Sequence, residues 1–399
     1  MRTRRSAAVL GTVLVTALLA AGCGSSDSGS GSSGDTIKIG AWYPLTGAVA
    51  ASGVPQRDGA DAYFKMLNEQ GGINGKQVEF IVKDNAYDAQ QTVQIARDLI
   101  GGDDVVAIVG ANGTAQGEAT FPFVIEQSKV PYLMPLGGLS SWYEPPRDGL
   151  FGFMTGYEDQ GAAVGAWAAE EGAKKIVVVH SDPAAFVSVA SQVGPAAKTV
   201  DDSVTTELLP AKFGTTDFAP VVSQVKSSGA DAVVTILAAP EAAAYLKEAE
   251  LQGVSKPTYG YAPDASAALL SLAGTAAEGF HSVSLTKAPV ESDPATKEFL
   301  DAMKKYYPDQ TPDFIAMWGW AAAKSFAQVA KTVQGDITAD SLKAAFTAAS
   351  SVDNGVGPVL SFSADQHLGT RDVQRVTVKD GAWVSEGGFF TPPPLVAAG

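Results

Sequence analysis

Val105-Val106-Ala107-Ile108-Val109-Gly110-Ala111-Asn112-Gly113-Thr114 is an apolar, Val/Ile-rich run that ends in a glycine-bounded loop. Beyond it Phe121, Val124 and Ile125 fall at helical spacing, so the segment reads as strand, loop and helix in that order. The same succession recurs along the chain. Strand-like runs begin near Ile37, Val78, Val105, Val130, Ile176, Val204, Ala232, Thr258 and Gly279, too far apart for hairpins. Helical patterns such as Ala60/Phe64/Leu67, Val164/Trp167/Ala168 and Ala242/Leu246/Ala249 stand between them. Strands alternating with helices predict βαβ units and parallel sheets with right-handed crossovers. The steps from Gln77 to Val105 to Pro131 are 28 and 26 residues, and those from Val204 to Ala232 to Thr258 are again 28 and 26. The chain is therefore read as α/β, with two similar Rossmann-like lobes. After Val283 come helical segments, Ala295 to Tyr307, Ile315 to Val333 and Leu342 to Ala349. Strand patterns around Val359 to Phe362, Arg371 to Val378 and Trp383 to Val384 follow them. This tail is expected to return to the first lobe.

With 399 residues, 46% of them hydrophobic, the chain has the material for two domains. A net charge of −15, with no basic cluster after the first five residues, excludes nucleic acid as a partner. Lone Cys23 excludes a disulfide framework and a Cys-rich metal site.

Arg2, Arg4 and Arg5 precede an apolar stretch from Ala7 to Ala21 that is too short to span a bilayer. A basic start, a short apolar run and small residues at its end mark a secretory signal over residues 1–22. Leu18-Leu19-Ala20-Ala21-Gly22-Cys23 resembles the bacterial lipobox, in which the Cys is lipidated and becomes the first mature residue. It departs from the usual pattern at Ala20, since Leu19 stands one position early. The alternative is an unmodified thiol behind an ordinary signal peptide. Gly24 to Gly34 is almost pure Gly/Ser, a flexible tether suited to joining an anchor to a folded body.

Open parallel sheets bind ligands at the carboxyl ends of their strands. The loops there contain Trp42, Tyr43, Asn112, Gly113, Thr114, Gly138, Ser140 and Ser141 in the first half, and Phe186 and Asp264 in the second. Small, hydroxyl-bearing and aromatic residues suit a small ligand. Gly110 to Thr114 opens a helix whose N–H groups, with the Thr114 hydroxyl, would hold an anionic group; alternatively Thr114 caps the helix. Phe186 and one of Trp42 or Tyr43 are the expected ligand walls, whereas Trp167, Trp318 and Trp320 read as core. Catalytic and metal signatures are missing from the sequence. The histidines His180, His281 and His367 are scattered, no G-x-S-x-G or P-loop occurs, and no cofactor or metal is expected. His180 with Asp182 is either a structural pair or an acid/base pair.

Taken together, Ile37-Lys38-Ile39-Gly40 running into Pro44-Leu45-Thr46-Gly47, Gly71-Gly72-Ile73-Asn74-Gly75-Lys76, Val106 to Gly110 and Val130-Pro131-Tyr132 resemble the solute-binding proteins of ABC importers. The resemblance is to the type I, branched-chain amino acid (Leu/Ile/Val) binding family and covers Thr36 to Phe390. It implies a monomer of two lobes, 36–154 plus 284–361 and 155–283 plus 362–391. Three crossovers near Phe153 to Gly156, Ser282 to Leu285 and Leu360 to Ser363 would join them. The lobes would close on a small ligand and present it to a membrane permease, from a lipid anchor on the outer face of the cytoplasmic membrane. By the same resemblance, Thr114 and Gly138 to Ser141 map onto the groups that hold a ligand carboxylate, and Phe186 onto a ring wall. The acidic partner of an amino-acid ammonium falls at Ala262, two residues before Asp264. The resemblance implies an amino acid such as Leu, Ile or Val as ligand; with Asp264 out of reach of an ammonium, the alternative is an aromatic or aliphatic carboxylate, an amide or another small polar molecule. A sensory receptor with the same cleft, docked to a signalling protein, is the second reading; a secreted hydrolase lacks its nucleophile elbow.

Overall fold

A computed structural model describes residues 36–47 and 49–396. The expected leader (1–22), Cys23 and the Gly/Ser tether lie outside the described residues. The apolar runs form strands because a parallel strand covered by helices on both faces shows no polar side. All of Ala232–Ile236 is buried, and so is all of Lys175–Ser181 after its first residue.

The first part of the chain forms β1 (Thr36–Tyr43), α1 (Ala50–Glu69), β2 (Gln77–Asp84), α2 (Ala89–Gly101), β3 (Ala107–Val109), α3 (Thr114–Phe121), β4 (Tyr132–Leu133) and β5 (Leu150–Phe151). Next come α4 (Tyr157–Glu170), β6 (Lys175–Ser181), α5 (Ala184–Val200), β7 (Thr205–Ala211), α6 (Ala219–Ser228), β8 (Ala232–Ile236), α7 (Ala239–Leu251), β9 (Thr258–Gly260), α8 (Ala267–Ala273) and β10 (His281–Ser284). Helices α9 (Pro294–Tyr306), α10 (Phe314–Ala330) and α11 (Ala339–Ala348) precede β11 (Val373–Lys379) and β12 (Ala382–Phe390).

One sheet has the order β2-β1-β3-β4-β5 and the other β12-β11-β10-β9-β8-β6-β7. Apart from β11 and β12 the two wind identically, as the matched sequence steps require. Pairing is parallel except at β10–β11 and β11–β12. The chain is therefore the expected two-sheet α/β fold. Strand order reverses between β1 and β3 and again between β6 and β8, and such switch points open crevices at the carboxyl ends of the strands.

The tail divides between the sheets. Its helices return to the first sheet: Trp320 of α10 meets Tyr63 of α1 with ring centroids 5.0 Å apart, and Phe346 of α11 meets Phe151 at 5.6 Å. Its strands extend the second sheet by antiparallel pairing. The third crossing comes later than Leu360 to Ser363. Phe362 packs on Phe151 and Phe346, His367 stacks on Phe151 at 4.1 Å, and Leu368 bridges to Gly152. These apolar and backbone contacts keep the chain on the first sheet until the segment just before Val373.

Glycines set the closest helix crossings. A Cβ on Gly59 of α1 would lie 1.8 Å from the Ala316 carbonyl oxygen, and one on Gly319 of α10 would lie 1.8 Å from that of Gln56. In the second half, a Cβ on Gly161 of α4 would lie 2.0 Å from the Val189 carbonyl oxygen of α5. Helix propensity alone favours Ala over Gly by about 0.5–1 kcal/mol. Here the lost approach outweighs it. Gly319→Ala is expected to lower stability by about 1–3 kcal/mol, read as a fall in the urea midpoint; a rise would contradict the crossing.

Candidate functional site

The two switch points meet across a cavity of about 80 Å³. Ser52 and Gln56 of α1, Asn112 and Gly113 of the β3–α3 loop, and Trp318 of α10 form its first side. Opposite stand Phe186 of α5, Ala238 to Pro240 at the start of α7, Phe213, Tyr261 and Pro263. Tyr87 and Tyr157 complete the ring of aromatics, beside Met154 from the first crossing. Phe186 lies 5.7 Å from Phe213 and 6.1 Å from Tyr261 between ring centroids, so the second side is a continuous aromatic surface.

Among the described residues that line the cavity, none is Asp, Glu, Lys, Arg or His. Its polarity comes from neutral groups. Asn112 Nδ2 donates to Gln56 Oε1 at 2.7 Å. Asn112 Oδ1 and Trp318 Nε1 are buried without a partner in the chain. Burial pushes the hydroxyls of Tyr87, Tyr157 and Tyr261 above the ordinary tyrosine range, which keeps all three uncharged. Gly113, at φ 115°, adopts a backbone that L side chains rarely take and turns the chain into α3 without a side-chain cap. Tyr87 has φ 62°, uncommon for a bulky residue. Its N–H donates to Asn85 Oδ1 at 3.1 Å and its carbonyl accepts from Gln116 Nε2, so the strained turn is held from two sides.

The expected site residues separate accordingly. Asn112, Gly113 and Phe186 line the cavity. Trp42 and Tyr43 do not. Strand β1 runs through both, and each side chain is fully buried, Trp42 against Tyr132 and Tyr43 against Phe80. Thr114 lies behind the wall as the first residue of α3, not its cap, and its Oγ1 donates to Tyr157 Oη at 3.2 Å. Gly138 packs under the Trp142 ring, and Ser141 is exposed. The N–H and Oγ of Ser140 donate to Glu158 Oε2 at 3.0 and 2.9 Å. Asp264 is also absent from the lining. It is 0% exposed, beside Gly260, and neither carboxyl oxygen has a partner. His180 Nδ1 contacts the Ser181 carbonyl at 3.0 Å, while Asp182 accepts from Phe213 N–H, so no acid/base pair forms.

A periplasmic binding protein family model matches residues 36–382. The chain belongs to the periplasmic binding protein family. A leucine-, isoleucine-, valine-, threonine- and alanine-binding protein of Pseudomonas aeruginosa is 28% identical over 286 residues, 70% of this chain and 74% of the relative. Two solved structures share the fold. A branched-chain amino acid transporter substrate-binding protein of Streptococcus pneumoniae, in complex with isoleucine, has a TM-score of 0.75 at 23% identity, covering 88% of this chain and 100% of that one. A fatty acid ABC transporter substrate-binding protein of Thermomonospora curvata has a TM-score of 0.81 at 23% identity, covering 90% and 93%. The resemblance read from the sequence is thus correct at the level of family and fold.

In this periplasmic binding protein the sequence reading passed over Gln56, Tyr87, Tyr157, Phe213 and Trp318 as wall residues. Trp318 and Trp320 share one helical pattern, yet side chains two positions apart point about 200° away from each other. Trp320 therefore enters the core against Tyr63 and Phe299, and Trp318 lines the cavity.

Burial holds the Asp264 carboxyl well above the usual carboxylate range. Below the unfolded value both states keep the proton; as pH rises past about 4 the unfolded chain releases it and the native chain does not, so native stability falls. Asp264→Asn removes this slope. Relative to the parent, the variant is expected to gain stability between about pH 4 and about pH 7 in denaturant titrations, and an equal difference at both would contradict the assignment.

Proposed function

We propose that the protein is the solute-binding lipoprotein of an ABC importer. It is exported, anchored through Cys23 on the outer face of the cytoplasmic membrane, and acts as a monomer without turning its ligand over. It captures a small ligand of amino-acid size, Leu, Ile or Val or a related carboxylate or amide, and delivers it to a permease. The observation that carries this reading is the aromatic cavity walled from both sheets. The family and the names of the relatives support it.

The lobes proposed are those expected, with the third crossing moved toward residue 372. Ties from one sheet's elements to the other's favour the closed arrangement. Ser140 donates to Glu158, Thr114 to Tyr157, and Ala267 N–H to Asp313 Oδ2 at 2.8 Å. Closure around a ligand removes water from these contacts and strengthens them, and a ligand that prefers the closed state shifts the population to it. The aromatic surface packs the apolar body, and the first turn of α3 faces the polar end.

Phe186→Ala is expected to weaken binding of the cognate solute about tenfold or more, the loss of one buried aromatic side chain, with an unchanged far-ultraviolet circular dichroism spectrum. Calorimetry showing parental affinity would overturn the site. Cys23→Ser is expected to move the protein from the membrane pellet to the soluble fraction; retention in the pellet would overturn the anchor.

A further inference from the structure

We infer that the solute selected by this cavity carries no ammonium group, and that it is a small carboxylic acid, or its primary amide, with an apolar body. The inference rests on the cavity being the solute site.

A closed cavity must satisfy every charge it buries, because a charged group taken out of water without a partner carries a heavy penalty. An ammonium brings three N–H donors and a full positive charge. The lining holds no carboxylate to receive them, and three acids next to lining residues or one position further along the chain are already committed to other partners. Glu241 accepts from Ser181 Oγ at 2.7 Å, from Ala238 N–H at 2.9 Å and from Gly214 N–H. Glu158 accepts from Ser140 with one oxygen and from Ser188 with the other. Asp159 is paired with Arg371. Asp264 is fully buried beside Gly260 and outside the lining, its two oxygens are unpartnered, and burial holds its carboxyl well above the usual carboxylate range, so it presents no full negative charge. Aromatic faces attract a cation, but they leave the N–H donors of a primary ammonium without acceptors.

What the wall offers is matched to the other half of such a molecule. Helix α3 starts beside the wall, at Gly113, and no side chain caps its first-turn N–H groups, the groups that a carboxylate or carbonyl oxygen would accept from. A second observation points the same way. Trp318 Nε1, a donor, and Asn112 Oδ1, an acceptor, belong to lining side chains that are 2% and 8% exposed, and both atoms lack a partner. A carboxylate uses the donor, and a primary amide uses donor and acceptor together. The aromatic surface of Phe186, Phe213 and Tyr261 takes the hydrocarbon.

Matched sets test this directly. Calorimetric titrations of the purified, dialysed protein would compare L-leucine with 4-methylpentanoate and 4-methylpentanamide, and L-phenylalanine with 3-phenylpropanoate and 3-phenylpropanamide. In at least one set an amine-free member is expected to bind about 100-fold or more tightly than its amino acid. An amino acid that binds as tightly as its amine-free counterparts overturns the inference. If Phe186→Ala then weakens that binding, the cavity stands as the solute site and only the ligand class falls. Titrations without heat for every compound, confirmed silent by intrinsic tryptophan fluorescence, overturn the inference and the assigned cavity together.

Discussion

Two pairs of helices approach until backbone meets backbone, and the cavity depends on it. Gly59 and Gly319 let α1 and α10 cross with each glycine against the other helix's carbonyl, and Gly161 and Gly165 do the same for α4 against α5. Gln56 and Trp318 stand beside the first crossing, and α4 and α5 carry Tyr157 and Phe186. Wall residues on helices locked in this way are held more firmly than residues on free loops. A side chain at any of these glycines would move a wall and the core behind it together.

The second constraint is electrical. The chain carries a net charge of −15, yet the lining of the cavity is neutral and its three tyrosines stay protonated. On the proposed function, selectivity would then rest on hydrogen-bond direction and shape. In the proposed site, unpaired Asn112 Oδ1 and Trp318 Nε1 would disfavour solutes that cannot satisfy them, since a buried polar atom left alone costs about 1–3 kcal/mol. Two acids next to lining residues serve other ends. Glu158 ties α4 to Ser140 and Ser188, and Glu241 fastens the start of α7.

Sequence showed the sheets clearly because parallel strands buried on both faces leave continuous apolar runs, and the equal steps of 28 and 26 residues correspond to two sheets wound alike. Strand β5, two residues long, leaves no periodic trace. The third crossing was misplaced because Phe362 and His367 pack on Phe151, a contact across more than two hundred positions. At the cavity, the position just after a strand placed Asn112 and Gly113 in the lining, and Phe186 stands in the first turn of the helix that follows β6. Loop position failed for Trp42 and Tyr43, whose strand extends further than the loop reading allowed, and for Asp264, which is fully buried outside the lining. Gln56 and Trp318 were invisible because only the crossing of α1 and α10, separated by some 250 residues in sequence, brings them to one wall.

The central claim is that one neutral, aromatic cavity between the two sheets is where solute binds. The most direct measurement is a crystal structure of the protein grown with the tightest-binding amine-free acid or amide. The account predicts its hydrocarbon between Phe186 and Trp318 and its polar end at the first turn of α3. Density for the molecule anywhere outside this cavity would contradict it.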